Sequence, residues 1–149
     1  MSKENILKIL FIIGLLISIS GFFIWHNLDV ASSQKTISIR GHVFKTEIVT
    51  TDSDKQKGLG GRKGLCVYCG MLFVFDEPGK YSFWMKDMRF ALDLLWIRDD
   101  KIVFIEKNVA PNFSGTMNPP TDANRVLELN AGAVDKFGIT VGDSVSIKN

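Results

Sequence analysis

The spacing of apolar and polar residues changes several times along this chain, and each change predicts an element. From Ile6 to Trp25 the sequence ILKILFIIGLLISISGFFIW is apolar on every side, 20 residues with Lys8 as its one charge. A run of that length matches the roughly 30 Å hydrocarbon thickness of a bilayer at about 1.5 Å per helical residue. Beyond it, TISIR (Thr36–Arg40) and VFKTEIVTT (Val43–Thr51) alternate around Gly41-His42 and predict a β-hairpin. Asp52-Ser53 offers a cap for a helical turn through Lys57, which the glycines of GLGGRKG stop. MLFVF (Met71–Phe75) predicts a fully buried strand, DEPGK (Asp76–Lys80) a turn, and YSFWM (Tyr81–Met85) a returning strand. LDLLWI (Leu92–Ile97) and IVFIEKNV (Ile102–Val109) predict a second hairpin about Asp99-Asp100-Lys101. Residues 110–124, with three prolines, predict a long loop. RVLEL (Arg125–Leu129) follows as a strand, AGAVDKF (Ala131–Phe137) as a short helix ended by Gly138, and ITVGDSVSIK as two strands about a Gly-Asp turn.

Together these elements predict a mainly β (α+β) domain, a small β-barrel or rolled sheet of about seven strands with two short helices, behind one N-terminal transmembrane helix. Lys3 and Lys8 lie at the start of the apolar run and the next cation is Lys35. The positive-inside bias then places residues 1–5 in the cytoplasm, 6–25 in the membrane as a signal-anchor, 26–36 as a tether and 37–149 outside. The competing expectation is a cleaved signal peptide, whose apolar region is usually about 7 to 15 residues. Either way the domain is expected at the cell envelope, with the membrane as a partner through the helix.

Residues 30–149 hold 16 Lys plus Arg against 14 Asp plus Glu, interspersed. That balance describes a solvated surface and gives no support for nucleic-acid binding. No phosphate loop, nucleophile elbow or other cofactor motif is present: the glycines at 58, 60, 61 and 64 lack the preceding strand and the Gly-Lys-Ser/Thr ending. No catalytic residue and no cofactor are therefore assigned.

The order TDSDKQKGLGGRKGL, GMLFVF, FWMKDMRFALDLLWI, VLELNAG and KFGITVGD resembles the family known as domain of unknown function 192, over about residues 37–149. GMLFVF (Gly70–Phe75) with FWMK (Phe83–Lys86) is the specific part. The resemblance implies a mostly β domain, often behind a signal or anchor, with no established activity. Asp87-Met88 and Ala91 depart from the family pattern, and so does the Cys66-x-x-Cys69 pair. VGDSV (Val141–Val145) is also similar to the Gly-Asp turn of cradle-loop barrels.

Three sets of residues carry candidate chemistry. Cys66 and Cys69 have no following helix to activate a thiol and no second Cys pair to complete a zinc site. A local disulfide is the simplest reading, with metal binding or redox exchange as alternatives. Met71, Met85, Met88 and Met117 with those thiols suit Cu(I) by ligand softness, though the methionines at 71 and 85 also read as core. Finally, Phe83, Trp84 and Met85 cannot all face one core in a strand, so the segment must meet a second apolar surface. Arg62, Trp84, Lys86, Asp87, Asp93 and Glu128 are the candidate ligand-binding set, expected to converge at one barrel end roofed by 110–124. The expected partner is a small molecule or an envelope protein. An enzymatic alternative, an envelope hydrolase, needs two of Asp87, Asp93 and Glu128 in one pocket.

Overall fold

Alternation in the first 16 positions of the domain is what builds its edge. A computed structural model describes residues 34–148, and the apolar run 6–25 lies outside the described residues. β1 (Gln34–Ile39) and β2 (His42–Val49) pair antiparallel around Arg40-Gly41, both at positive φ, as a tight hairpin requires. Ile37, Ile39 and Phe44 point to one side and are fully buried there.

β2 is joined to β3 (Cys69–Gly79) in parallel. Parallel neighbours need a crossover, because a tight turn cannot reverse the chain twice. Residues 50–68 supply it: α1 (Asp52–Lys57), capped by the Thr51 hydroxyl, then the glycine-rich segment. This crossover lies over one face of the sheet and forms part of the site described below.

β3 next pairs with β8 (Ala123–Asn130), and β8 with β5 (Leu92–Arg98), which pairs with β6 (Lys101–Val109). The main sheet has seven strands in the order β6-β5-β8-β3-β2-β1-β9, with β9 spanning Val145–Lys148. Its edges meet at one end: Ile102 N donates to Asp143 O at 3.0 Å, Gly142 N to Ile102 O at 2.8 Å and Val145 N to Asp100 O at 2.9 Å. The Gly142-Asp143 turn thus curls the sheet into a half-barrel that closes at that end.

Two differences from the sequence expectation concern turns. Asp76–Gly79 does not reverse the chain but continues β3 through an irregularity between Val74 and Gly79, where proline is tolerated because the ladder is already broken. Ile139-Thr140 forms no strand, and Asp143 accepts from Thr140 N at 2.7 Å to make a local turn instead.

The sheet has apolar side chains on both faces. One face holds Leu72, Leu95, Ile97, Leu127 and Leu129, covered by α2 (Ala133–Lys136) and Phe137. The other holds Met71, Phe73, Leu94, Trp96 and Val126. It is covered by Leu59, Met85 and the two-stranded ribbon of β4 (Phe83–Trp84) and β7 (Thr116–Met117). Central strands buried on both sides read as near-continuous apolar runs, which explains MLFVF and LDLLWI.

Candidate ligand-binding site

Strand register aligns a row of four residues across the second face: Glu47 on β2, Met71 on β3, Glu128 on β8 and Leu94 on β5. The next row is Val49, Phe73, Val126 and Trp96, entirely apolar. Two carboxylates therefore flank a methionine on a face otherwise built for packing.

Glu47 is partnered. Arg62, delivered by the glycine-rich segment, donates to its two oxygens at 2.5 and 2.7 Å in the planar fork that suits a carboxylate. That hydrogen bond is the main cause holding the Glu47 carboxyl below its usual range and the Arg62 guanidinium above its own. Glu128 is not partnered. Its side chain is 5% exposed and Oε2 finds no hydrogen-bond partner; the other buried oxygen without one, among the described residues, is Asn124 Oδ1 on the same strand. Burial pushes the Glu128 carboxyl up to about 8, against a smaller downward pull from the Arg62 charge.

Glu128 opens into a cavity of about 300 Å³. Phe73, Phe75, Tyr81, Phe83 and Trp84 supply aromatic walls, and Lys55, Lys57 and Lys86 stand around it. The walls are braced: Phe75 stacks on Tyr81, Phe83 meets both Phe73 and Trp96 edge-on, and Trp96 Nε1 donates to Tyr81 O at 2.9 Å. Lys55 lies 4.7 Å from the centre of the Phe75 ring. Alternation in the β4 segment buries Met85 and turns Phe83 inward, leaving Trp84 half exposed at the cavity.

The candidate set thus divides. Trp84, Lys86 and Glu128 line this cavity. Arg62 sits behind it, committed to Glu47. Lys86 and Asp87 line an adjoining groove with Lys57 and Arg89. Asp93 belongs elsewhere: it pairs with Leu129, so its side chain lies on the opposite face from Glu128. There it accepts from Asn108 N and Val134 N, both at 2.8 Å, tying β6 and the start of α2 to the sheet. No two of Asp87, Asp93 and Glu128 line either cavity or groove, so the carboxylate pair that the hydrolase reading needs does not form. The 110–124 segment does not roof the cavity either; it contributes β7 at the flank of β4, joined by a Ser82–Asn118 hydrogen bond of 2.6 Å.

Cys66 and Cys69 form a disulfide with Cα atoms 5.0 Å apart, and no free cysteine is left among the described residues. The copper reading loses its thiolates, and Met71, Met85 and Met117 are buried within the core. Glu47 was not singled out by the sequence. Its signal is its position two residues before Val49, on the strand face that otherwise continues into core.

Comparison with known proteins agrees with this architecture. A crystal structure of a Sinorhizobium meliloti protein, named a "putative transcription regulator", superposes with TM-score 0.76 at 30% identity, covering 79% of this chain and 96% of that one. A protein of unknown function from Novosphingobium aromaticivorans gives TM-score 0.70 at 30% identity, covering 76% and 83%. No curated protein matches. Residues 34–147 match the family DUF192, Uncharacterized ACR, and the chain belongs to that family.

Proposed function

We propose that this domain is a small-molecule-binding module, held at the cell envelope by its N-terminal apolar run, with no chemical step assigned. The observation that carries the reading is Glu128: a carboxyl in mid-strand, with an unpartnered buried oxygen, at a cavity walled by aromatic side chains. A hydrophobic residue of similar size would be the cheaper choice at that position. A pocket with aromatic walls and a few polar groups, here Glu128 at the base with Asp52 and the lysines among its lining, is the usual form of a ligand site, and a carboxyl shifted by desolvation in a cleft points the same way. At neutral pH the raised value of about 8 leaves Glu128 mostly protonated, a hydrogen-bond donor to a carbonyl, ether or hydroxyl oxygen. The Cys66–Cys69 bridge supports the envelope placement, since disulfides persist in oxidising compartments.

A nucleic-acid role, suggested by the name of the Sinorhizobium relative, gets no support from the overall charge, with 16 cations against 14 acids over residues 30–149. Native mass spectrometry of the full chain purified from cells tests the binding reading. A bound small molecule is expected in the wild type and is lost in Trp84→Ala and Glu128→Leu. A ligand-free mass, together with no thermal shift from a panel of aromatic fragments, sinks it.

A further inference from the structure

Building on the proposed cavity, we propose that it and the adjoining groove form one bipartite site for a small soluble organic anion. The apolar or aromatic body lies against Phe83 and Trp84, and the anionic head lies on Lys57, Lys86 and Arg89. The two spaces adjoin: Gln56, Lys57, Gly60, Lys86 and Met88 line both. The groove, about 720 Å³ and open to solvent, carries those three cations against the single carboxylate of Asp87.

None of the three cations makes an ion pair with any described residue. Several lysines elsewhere on the surface are also without an ion pair; what sets these three apart is that they line one concave surface together. Unpaired like charges on one concave surface repel each other and focus a positive potential there, and an anion relieves both.

The backbone under the groove is fixed. A Cβ at Gly60 would lie 2.9 Å from Lys57 O and 3.4 Å from Lys86 O, so glycine is what lets the two lysine-bearing segments touch. Gly61 N donates to Asp87 O at 2.9 Å, and Asp87 is held at φ +58°, a left-handed conformation that a branched residue would resist. Lys57 and Lys86 are thereby anchored by one knot, beside the mouth of the aromatic cavity. The roughly 300 Å³ of that cavity is at the small end for ligand pockets and suits a body of about two rings, not a pair of acyl chains.

The test is titration calorimetry of the full-length protein with 2-naphthyl phosphate and with 2-naphthol, the same body with and without the charge. The phosphate is expected to bind about 10- to 100-fold more tightly, by the usual worth of charge-assisted hydrogen bonds. Salt should erode that advantage. In Lys86→Gln/Arg89→Gln, and in Lys57→Gln/Arg89→Gln as an independent pair, the ratio of the two affinities should fall to about one, whatever the change in naphthol binding itself. Trp84→Ala should weaken both ligands. Equal affinities of the two probes overturn the anion assignment and leave the cavity reading standing. Failure of both probes to bind overturns both. An advantage that survives both charge-removing pairs places the anion elsewhere and overturns the proposal. Displacement of naphthyl phosphate by dihexanoylphosphatidylglycerol at equal phosphate concentration assigns the site to lipid and overturns the small-anion identity.

Discussion

Glu128→Gln keeps the shape of the side chain on β8 and removes its titration, so its effect on stability can be worked out in advance. In the unfolded chain the carboxyl titrates near 4.5; in the folded protein burial moves it to about 8. Between those values the folded state holds a proton that the unfolded state has released. Stability therefore falls as pH rises through this window, by about 1.4 kcal/mol per pH unit. Below pH 4.5 both states are protonated and the penalty vanishes; above about 8 both are ionised and it is complete. Between pH 5 and pH 8 the wild type should lose about 2 to 4 kcal/mol relative to Glu128→Gln, the lower figure allowing for relaxation of the site around the charge. Against a total stability of about 5 to 15 kcal/mol, that is a large part of the fold's margin.

The other shifted groups do not obscure the window. Glu47 is held below its ordinary 4.5 chiefly by the Arg62 hydrogen bond, so the stability it contributes is lost only as pH falls below that range. Arg62 and Lys107 are raised from values above 10 and titrate well to the alkaline side. Urea unfolding of both proteins at pH 5, 6, 7 and 8, followed by tryptophan fluorescence, gives the difference directly. A gap of constant size across the series refutes the reasoning, because it would mean that Glu128 ionises in the folded protein as it does in the unfolded chain.

Three further outcomes follow from the same geometry. Asp93→Ala leaves the N–H groups of Asn108 and Val134 without their acceptor and should cost about 3 kcal/mol in urea unfolding, with probe affinity at the cavity unchanged. Arg62→Gln removes the pull that partly offsets burial, so the loss of stability attributed to Glu128 should still begin near pH 4.5 but continue to higher pH and grow in total, read by extending the same series to pH 9; loss of the part-exposed Glu47 pair adds about 1 kcal/mol of destabilisation. Gly70→Ala would bring a Cβ to 3.0 Å from Glu128 O, a rigid backbone atom, and to 3.0 and 3.1 Å from Leu129 and Leu127. It should lower the melting temperature by several degrees, read by calorimetry, as overpacking of about 1 to 3 kcal/mol does in a small domain.

Much of the sheet was legible because its strands obey simple periods. Ile37, Ile39 and Phe44 alternate, and MLFVF is unbroken and LDLLWI broken only by Asp93 because both of their faces are covered. The α1 cap and Gly138 after α2 were local signals of helix ends, and Gly138 takes φ +63° as expected. Strand order was not legible. Nothing local indicates that β8 inserts between β3 and β5, and that insertion decides which side chains share a face. Asp93 and Glu128 looked equivalent in sequence, each a carboxylate in a run of leucines. Register separates them: Asp93 stands opposite Leu129 and Glu128 opposite Leu94, so one ties the core together through backbone N–H groups and the other opens to a cavity. Glu47 was overlooked because its partner Arg62 is brought to it by the crossover over that face, a relation without a sequence period.

The positions where the chain departs from its own rules separate structural need from the site. Among the described residues, five other than glycine have positive φ. Arg40, Asp99 and Asp100 sit in two tight hairpin turns that require it, and Asn108 sits at the register shift of β6, where Asp93 accepts its N–H. Asp87 is in no hairpin, but it is the third residue of the Met85–Met88 turn, closed by Met88 N donating to Met85 O at 3.2 Å, a turn position that accepts positive φ. Its conformation is held by Gly61 and fixes Lys86 between the cavity and the groove. The unpartnered Glu128 is the departure without such an account, since leucine at that point would complete the apolar face at lower cost. That solvation cost thus falls on the cavity, beside the groove that the Asp87 turn lines. Such costs collect where function demands them, because elsewhere selection removes what a cheaper residue can replace. The Glu128→Gln series measures that cost. If Glu128→Leu gains stability while losing the bound small molecule, the cost and the function belong to the same side chain.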